Sequence, residues 1–324
     1  MQLTYPHHFP ELVSSSTIGT YAECPRKFFL SVCNDLRPSY ENIHFRAGRA
    51  YADSMNVFRR TYHSPLSPNK GDLDMALALA FKSLFEAYAP ETISVDKWET
   101  VSSSPKSLAN MACALVATIE TYNPADPTSL LPVVDADGEV WAERTFSLET
   151  QVLHPDTGNP ILYSGRTDCI VASSQGNYIM DEKSTSSMGE QWHKQWDLRA
   201  QFIGYKLGFW SNFPNLNGVV VRGVCLLKES IRLQEYIVNV PSWLVKEWWT
   251  DLNYMLADAV RDYKRLHFRA ARDKACTSFS GCDFLSICTK APEHRESFIR
   301  PAFVLMRYNP LTGEAENVHN AGEE

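Results

Sequence analysis

The sequence lacks the long apolar runs that membrane-spanning helices need, since its longest ones, such as Gly218 to Leu227, are too short to cross a bilayer. It also lacks internal repeats and low-complexity segments. Hydrophobic residues make up 44% of its 324 residues, which excludes a disordered chain, a collagen and a coiled coil. Met1 to Pro10 contain no basic stretch followed by an apolar one. We therefore expect no signal peptide and a cytoplasmic protein.

An excess of basic residues is also missing. Asp and Glu number 38 against 31 Lys and Arg, so the net charge is −7. This balance argues against a protein that passively coats nucleic acid, but it leaves open an enzyme with a local positive groove. No Gly-x-x-x-x-Gly-Lys-Ser/Thr motif occurs, so we predict no P-loop motor, and any helicase activity would come from a partner.

Hydrophobic periodicity predicts helices first, then strands, then a mixture of both, which indicates a mixed α/β or α+β fold. A Ser/Thr cluster predicts a helix start at 14–17. From about residue 300 the acidic chain looks like a loose tail. The further predicted helices cover 47–61, 72–88, 108–122, 189–210 and 243–269, and the predicted strands cover 140–153, 161–172, 177–183, 218–227 and 233–240, the first three forming an antiparallel meander.

Two acidic residues lie on neighbouring predicted strands that a short hairpin joins. Asp168 and Asp181 can therefore converge, and two carboxylates at the end of a sheet form a hard oxygen site suited to Mg²⁺ or Mn²⁺. Residues i and i+2 of a strand share a face, so Lys183 should point to the same site as Asp181. Glu182 should point away and offer only its main-chain carbonyl. A surface hairpin with an ordinary Asp–Lys pair has the same short pattern.

A Gln and a Tyr follow on the next predicted helix. Gln201 and Tyr205 are four residues apart and therefore share a helix face. Facing a metal site, they could bind a nucleotide or a phosphate. The alternative is a core tyrosine beside a polar residue with satisfied hydrogen bonds.

Together, Gly165-x-x-Asp168, Asp181-x-Lys183-Ser184 and Gln201-x-x-x-Tyr205 resemble the motifs of the PD-(D/E)XK nuclease superfamily. The RecB-like branch, which includes CRISPR-adaptation and phage-encoded nucleases, is the most similar. Residues 14–28 also look like the opening helix of that branch, so the resemblance covers roughly residues 14 to 288. It implies a restriction-endonuclease-like core sheet flanked by helices, within a nuclease domain at 1–300. We place a helical insertion at about 50–130 and an acidic tail at 301–324.

The resemblance also implies roles for these residues. By matching position, Asp168 and Asp181, with the carbonyl of Glu182, would hold Mg²⁺ or Mn²⁺. Lys183 would be the catalytic lysine, and Gln201 and Tyr205 would form a motif on the DNA side. The implied protein is a DNA exonuclease acting on single-stranded or duplex ends in DNA repair, recombination, phage DNA processing or CRISPR adaptation.

The expected setting is a bacterial, archaeal or phage-infected cell, with a helicase, recombination or CRISPR-adaptation protein as partner. One feature departs from the branch, which usually carries a Gly-x-x-x-His motif on an early helix. Here Gly48 is followed by Ala52 at that spacing. A catalytically silent DNA-binding or adaptor subunit is therefore an alternative, and a zinc-stapled protein unrelated to DNA is a third.

Three cysteines follow the last long predicted helix at regular spacing. Cys276, Cys282 and Cys288 form a Cys-x5-Cys-x5-Cys pattern, and Cys24 is the candidate for a fourth ligand. Thiolates suit zinc or an iron–sulfur cluster, and unliganded cysteines are the remaining reading. The resemblance favours a [4Fe–4S] cluster, because some RecB-like nucleases pair one N-terminal cysteine with three C-terminal ones. Such a cluster would fasten the segment 270–290 to the first helix.

Overall fold

A computed structural model describes residues 7–39, 43–88, 104–227, 230–278, 281–299 and 302–318. The α-helices in these ranges are α1 (Ser15–Glu23), α2 (Pro25–Phe28), α3 (Ile43–His63), α4 (Leu73–Tyr88), α5 (Leu108–Thr121), α6 (Gln191–Lys194), α7 (Ala200–Phe209), α8 (Ser242–Lys264), α9 (Lys274–Thr277), α10 (Leu285–Cys288) and α11 (Arg295–Ile299). The strands there are β1 (Leu12–Val13), β2 (Leu36–Pro38), β3 (Leu131–Pro132), β4 (Thr145–Leu153), β5 (Pro160–Arg166), β6 (Cys169–Ser173), β7 (Gly176–Thr185), β8 (Leu216–Leu226), β9 (Ile231–Asn239), β10 (Phe303–Asn309) and β11 (Glu314–Asn317). A π-helical turn covers Phe29–Cys33 and a 3₁₀ turn covers Pro292–His294.

The chain forms two compact units. The first contains Met1–Tyr40, Thr145–Arg166 and Trp243–Glu324, and the second contains Glu41–Arg144 and Thr167–Ser242. In the described part of either unit, no helix has the length and apolar character required to cross a membrane. The domain boundaries expected from the sequence stay a prediction.

The second unit is built on a mixed five-stranded sheet with the order β3-β6-β7-β8-β9. Strands β7 and β8 run parallel at its centre, and the other neighbours are antiparallel. The apolar run of β8 fits this place, because a central parallel strand is buried on both faces. Val224 and Leu226 of β8 join the buried side chains of α3, α4 and α5 in one core cluster. These helices therefore cover the sheet face to which Val224 belongs.

The opposite face of the same sheet is covered by the segment around α6 and α7. A Cβ atom at Gly223 would lie 2.5 Å from the ring of Trp192, so glycine is required where this ring meets β8. Gly223 pairs with Lys183 in the parallel register, which puts both on this face. The face of the sheet that carries Lys183 is therefore closed in part by a tryptophan.

The predicted strand 161–172 is wrong as a single element. β5 ends at Arg166 and β6 begins at Cys169, and the two strands belong to different sheets. The predicted three-stranded meander is therefore wrong too, because β4 pairs with β5 and β6 pairs with β7. Main-chain hydrogen bonds from Thr167 to Arg144 and from Glu143 to Asp168 hold the break between the strands. The predicted helix 189–210 is likewise interrupted between α6 and α7.

The first unit contains two three-stranded sheets, with the orders β1-β5-β4 and β11-β10-β2. The second of these corrects the expected loose tail, since residues 303–317 form a hairpin that pairs with Leu36–Pro38. The acidic charge of this segment suggested a tail, but its apolar residues decide its structure. Phe303 is buried and stacks on Phe284 at a centroid distance of 5.1 Å, within a cluster that includes Ile287 and Ile299.

Candidate active site

Asp168 lies beside β7 in the break that precedes β6. The pairing of β6 with β7 begins at Cys169, which lies opposite Met180. Two residues further along β7, the main-chain N–H of Glu182 donates to Oδ2 of Asp168 at 2.8 Å. The Asp168 carboxylate thus accepts the hydrogen bond from β7 at a position that the backbone of β6 does not reach. The N–H and C=O of one strand residue point to the same side, so the Glu182 carbonyl also faces Asp168.

Asp181 and Lys183 lie together on one face of β7. The Nζ atom of Lys183 is 2.6 Å from Oδ2 of Asp181. The Asp181 side chain is buried, whereas 28% of the Lys183 side chain is exposed. Apart from this ammonium, neither oxygen of Asp181 accepts a hydrogen bond within the part of the chain that the structure describes. Asp181 is thus a buried carboxylate with lone pairs left for a further positive group.

The environment of Asp181 raises its pKa to about 6. Burial is the main cause, since it disfavours the charged form, and the neighbouring charge of Asp168 acts in the same direction. Lys183 opposes the shift through its charge and hydrogen bond, and Arg199 opposes it through its charge. A carboxylate held under these conditions favours a bound cation, which would stabilise its ionised form.

The side chain of Glu182 points to the opposite face of β7. It meets Nη2 of Arg59 at 2.7 Å and Nη1 of Arg222 at 3.7 Å, and all three side chains are buried. This agrees with the strand geometry expected from the sequence. The part of Glu182 that remains near Asp168 is its main chain.

Gln201 and Tyr205 lie on α7 and contact each other. Nε2 of Gln201 donates to the Tyr205 hydroxyl at 2.6 Å, and the tyrosine is buried. Arg199, just before this helix, was not singled out from the sequence. Its guanidinium lies 5.6 Å from the ring centroid of Trp196, and its charge acts on Asp181. The signal for it was a cation directly preceding the Gln-x-x-x-Tyr helix.

Helix α3, which has Ala52 where the RecB-like branch usually has a histidine, runs next to β7. A Cβ atom at Gly48 of α3 would lie 3.5 Å from Oγ of Ser184, the residue after Lys183. Ala52 follows one turn later on the same helix. Among the described residues, no group of three or more His, Cys, Asp or Glu side chains is arranged to hold a metal ion. The chemistry of Asp168 and Asp181 fits a hard divalent cation, because across the residues that the structure describes the Asp181 carboxylate has no hydrogen-bond donor besides the Lys183 ammonium.

The four candidate cluster cysteines all belong to the first unit. Burial raises the pKa of Cys288, and nearby Cys24 adds to this effect, while a hydrogen bond from Arg26 opposes it. Burial also raises the pKa of Cys282, with smaller contributions from Cys288 and Cys276. The four thiols are thus electrostatic neighbours, although they are not gathered into a ligating group.

Hydrogen bonds join the N-terminal helices to the chain that leads into the cysteine-rich segment. The N–H of Arg26 donates to the carbonyl of Arg269 at 3.0 Å, and the N–H of Ala271 donates to Sγ of Cys24 at 3.4 Å. These bonds place Cys24 next to the chain that leads to Cys276. The contact that a staple would reinforce therefore exists already.

A model of the PD-(D/E)XK nuclease superfamily matches residues 12–289. The chain belongs to this superfamily. The match spans the five-stranded sheet of the second unit, with Asp181 and Lys183 on β7 and Asp168 beside it, and membership of the superfamily implies a hydrolytic nuclease. The mixed α/β architecture agrees with the superfamily.

Two solved structures are similar to this PD-(D/E)XK protein. One is a protein from Eubacterium rectale that is provisionally described as an exonuclease, with 14% identity, a TM-score of 0.45, and coverage of 82% of this chain and 86% of that one. The other is SSO0001, with 12% identity, a TM-score of 0.31, and coverage of 76% of this chain and 94% of that one. No curated protein matches the sequence.

Proposed function

We propose that this PD-(D/E)XK protein is an Mg²⁺- or Mn²⁺-dependent DNA exonuclease of the RecB-like branch. The observation that carries the proposal is the buried Asp181 carboxylate. The Lys183 ammonium lies 2.6 Å from it, and Asp168 lies beside the same strand, just before β6. Two carboxylates that can hold a divalent cation, with an amine beside them, can together catalyse phosphodiester hydrolysis.

The proposed roles follow from the placement of each group. Asp168, Asp181 and the carbonyl of Glu182 would hold the cation, which when bound acts as a Lewis acid toward water and phosphate. Lys183 reaches solvent with 28% of its side chain, so its ammonium can orient the attacking water and stabilise negative charge on the phosphate. Gln201, Tyr205 and Arg199 would contact the DNA strand.

The proposed substrates are the ends of single-stranded or duplex DNA. The acidic chain would bind them through local cations such as Arg199, so affinity should fall with rising salt. The proposed setting is DNA repair, recombination, phage DNA processing or CRISPR adaptation, with a helicase or recombination protein as partner.

The test uses end-labelled linear DNA and closed circular DNA with Mg²⁺ or Mn²⁺. We expect digestion of the linear DNA by the unaltered protein, no digestion after Asp181→Asn, and full digestion after Glu86→Gln. Glu86 is a matched control, because it is an exposed carboxylate of the same unit that pairs with Lys82. Unchanged digestion by Asp181→Asn would refute the assignment, and cleavage of circular DNA would replace exonuclease by endonuclease action.

A catalytically silent DNA-binding subunit is the second candidate. The favouring observation is that the site brings together two carboxylates, with Ala52 where the branch usually has a metal-binding His. DNA binding that survives Asp181→Asn, without digestion by any form of the protein, would select this candidate.

We further propose that Cys24, Cys276, Cys282 and Cys288 bind an iron–sulfur cluster, with zinc as the alternative. Support comes from their place in one compact unit and from the neighbouring thiols that help to raise the pKa of Cys282 and of Cys288. Anaerobically purified protein should be brown with a broad visible absorption band, and Cys24→Ser should lose it. A colourless protein with stoichiometric zinc would favour the alternative, and a protein with neither metal would reject both.

A further inference from the structure

A row of charged side chains lies under β7, on the face away from Asp181 and Lys183, and all of them are buried except the partly exposed Glu235. It consists of Arg59 of α3, Glu182 of β7, Arg222 of β8 and Glu235 of β9, and we call it the charged ladder. The three strand residues are directly paired across the sheet, Glu182 with Arg222 and Arg222 with Glu235. All four belong to the second unit.

The partners within the ladder are unequal. Arg222 directs Nε and Nη2 to Oε1 of Glu235 at 2.9 and 2.7 Å, but its nearest approach to Glu182 is 3.7 Å. The short bond to Glu182 comes from Nη2 of Arg59, at 2.7 Å. Arg59 is fixed in turn by a bond from Nη1 to Asn56 one turn earlier on α3, at 3.2 Å. Glu182 therefore depends mainly on Arg59.

Glu182 is also the residue whose main-chain N–H holds Asp168, at 2.8 Å. One residue thus has two anchors: its side chain is tied to α3 and its N–H is tied to the first carboxylate of the site. A buried charge that loses its partner must move or protonate, because its desolvation is no longer offset. A shift of the Glu182 side chain would turn the peptide group that joins Asp181 to Glu182, whose N–H holds Asp168.

We propose that Arg59 is a positioning residue that brings Asp168 and Asp181 to one cation through the side chain and N–H of Glu182. This inference rests on the proposed function of the two carboxylates. Arg59 itself is buried and acts from the opposite side of the strand, so it touches neither the cation nor the DNA. The charge of Arg59 acts on Asp168 as well as on Glu182, although burial opposes its ionisation.

The test measures Mn²⁺ binding by calorimetry in the absence of DNA. Arg59→Met should weaken Mn²⁺ binding by about ten- to a hundredfold, the usual effect of losing a residue that orients a metal ligand. The Glu182 amide should also exchange its hydrogen faster, because its bond to Asp168 loosens. Leu115→Ala is the matched control, since it leaves a cavity in the α3–α4–α5 core of the same unit without touching the ladder.

A role limited to stability would make both variants easier to unfold while leaving Mn²⁺ affinity and Glu182 exchange unchanged in the folded protein, and this result would overturn the proposal. If Arg59→Met does not fold, Arg59→Lys keeps the charge with a single ammonium, and Arg59→Met combined with Glu182→Leu removes the unpaired charge. Arg59→Lys should bind Mn²⁺ more tightly than the double variant of Arg59→Met and Glu182→Leu, provided that the double variant folds. If both bind Mn²⁺ as tightly as the unaltered protein, the proposal is overturned.

A reference variant separates this inference from the function on which it rests. Asp181→Asn should abolish Mn²⁺ binding, and if it does not, the proposed function fails. If Asp181→Asn abolishes Mn²⁺ binding while Arg59→Met leaves it intact, the role of Arg59 alone is refuted.

Discussion

Replacing Asp181 by Asn should make the metal-free protein more stable at neutral pH. Burial raises the pKa of this carboxyl to about 6 from an ordinary value of 3.8. The unfolded chain therefore releases the proton at lower pH than the folded one, so this group lowers the free energy of unfolding as pH rises from about 4 to 6. At about 1.4 kcal/mol per pKa unit, the penalty above that range is about 3 kcal/mol. Asn carries no charge, so the Asp181→Asn variant does not incur this free-energy penalty.

The assay compares the two proteins in urea with a chelator, at several values between about pH 4 and pH 7.5. Hydrogen exchange of the β7 amides reports on the second unit alone, which avoids averaging over both units. The stability difference should be near zero at the acidic end and grow in favour of Asp181→Asn as pH rises. Lys183 does not oppose this strongly, because it is 28% exposed and water can replace its lost partner.

Asp168 strengthens the same trend, because it no longer faces a second negative charge when Asp181 is replaced. A stability difference independent of pH, or a variant less stable than the unaltered protein at pH 7.5, would refute the account of Asp181 as a carboxylate whose pKa burial raises. Glu86→Gln should show no such pH dependence, since Glu86 is exposed.

Three further outcomes can be checked separately. Lys183→Met should slow single-turnover DNA cleavage by about a hundredfold or more while calorimetry shows nearly unchanged Mn²⁺ affinity; equal losses in both would argue against a role in the chemical step. Tyr205→Phe removes the 2.6 Å bond from Gln201 and should weaken DNA binding about fivefold in anisotropy measurements, whereas unchanged affinity would leave Tyr205 a core residue. Gly223→Ala should lower the free energy of unfolding by about 1–3 kcal/mol in urea, because its Cβ would lie 2.5 Å from the Trp192 ring, and a neutral effect would contradict this packing.

Local patterns in the sequence predicted the features that depend on local geometry. The two-residue period of a strand put Asp181 and Lys183 on one face and Glu182 on the other, as the structure has them. The Ser/Thr cluster predicted the start of α1, and the Ser14 hydroxyl accepts from the N–H of Thr17 there. These features are set within a few residues, so a single sequence suffices to find them.

Features that depend on distant partners were missed. The break at Thr167 and Asp168 is held by main-chain bonds to Arg144 and Glu143, more than twenty residues earlier in the chain. The bond between Arg59 and Glu182 joins residues that are 123 apart. No periodicity encodes such contacts. The acidic charge of the last residues likewise predicted a loose tail. Phe303 instead packs against Phe284, and this burial orders the terminal hairpin.

Because the Asp168 carboxylate accepts the Glu182 N–H, its structural role can be separated from its charge. Its oxygen accepts the main-chain N–H of Glu182 beyond the end of β6, and under the proposed function its charge would attract the cation. An asparagine at 168 can still accept the N–H but contributes no charge, whereas an alanine loses both abilities. An alanine variant therefore loses the hydrogen-bond acceptor and the charge together. The difference between the Asn and Ala variants measures the contribution of the acceptor alone, which is structural rather than catalytic.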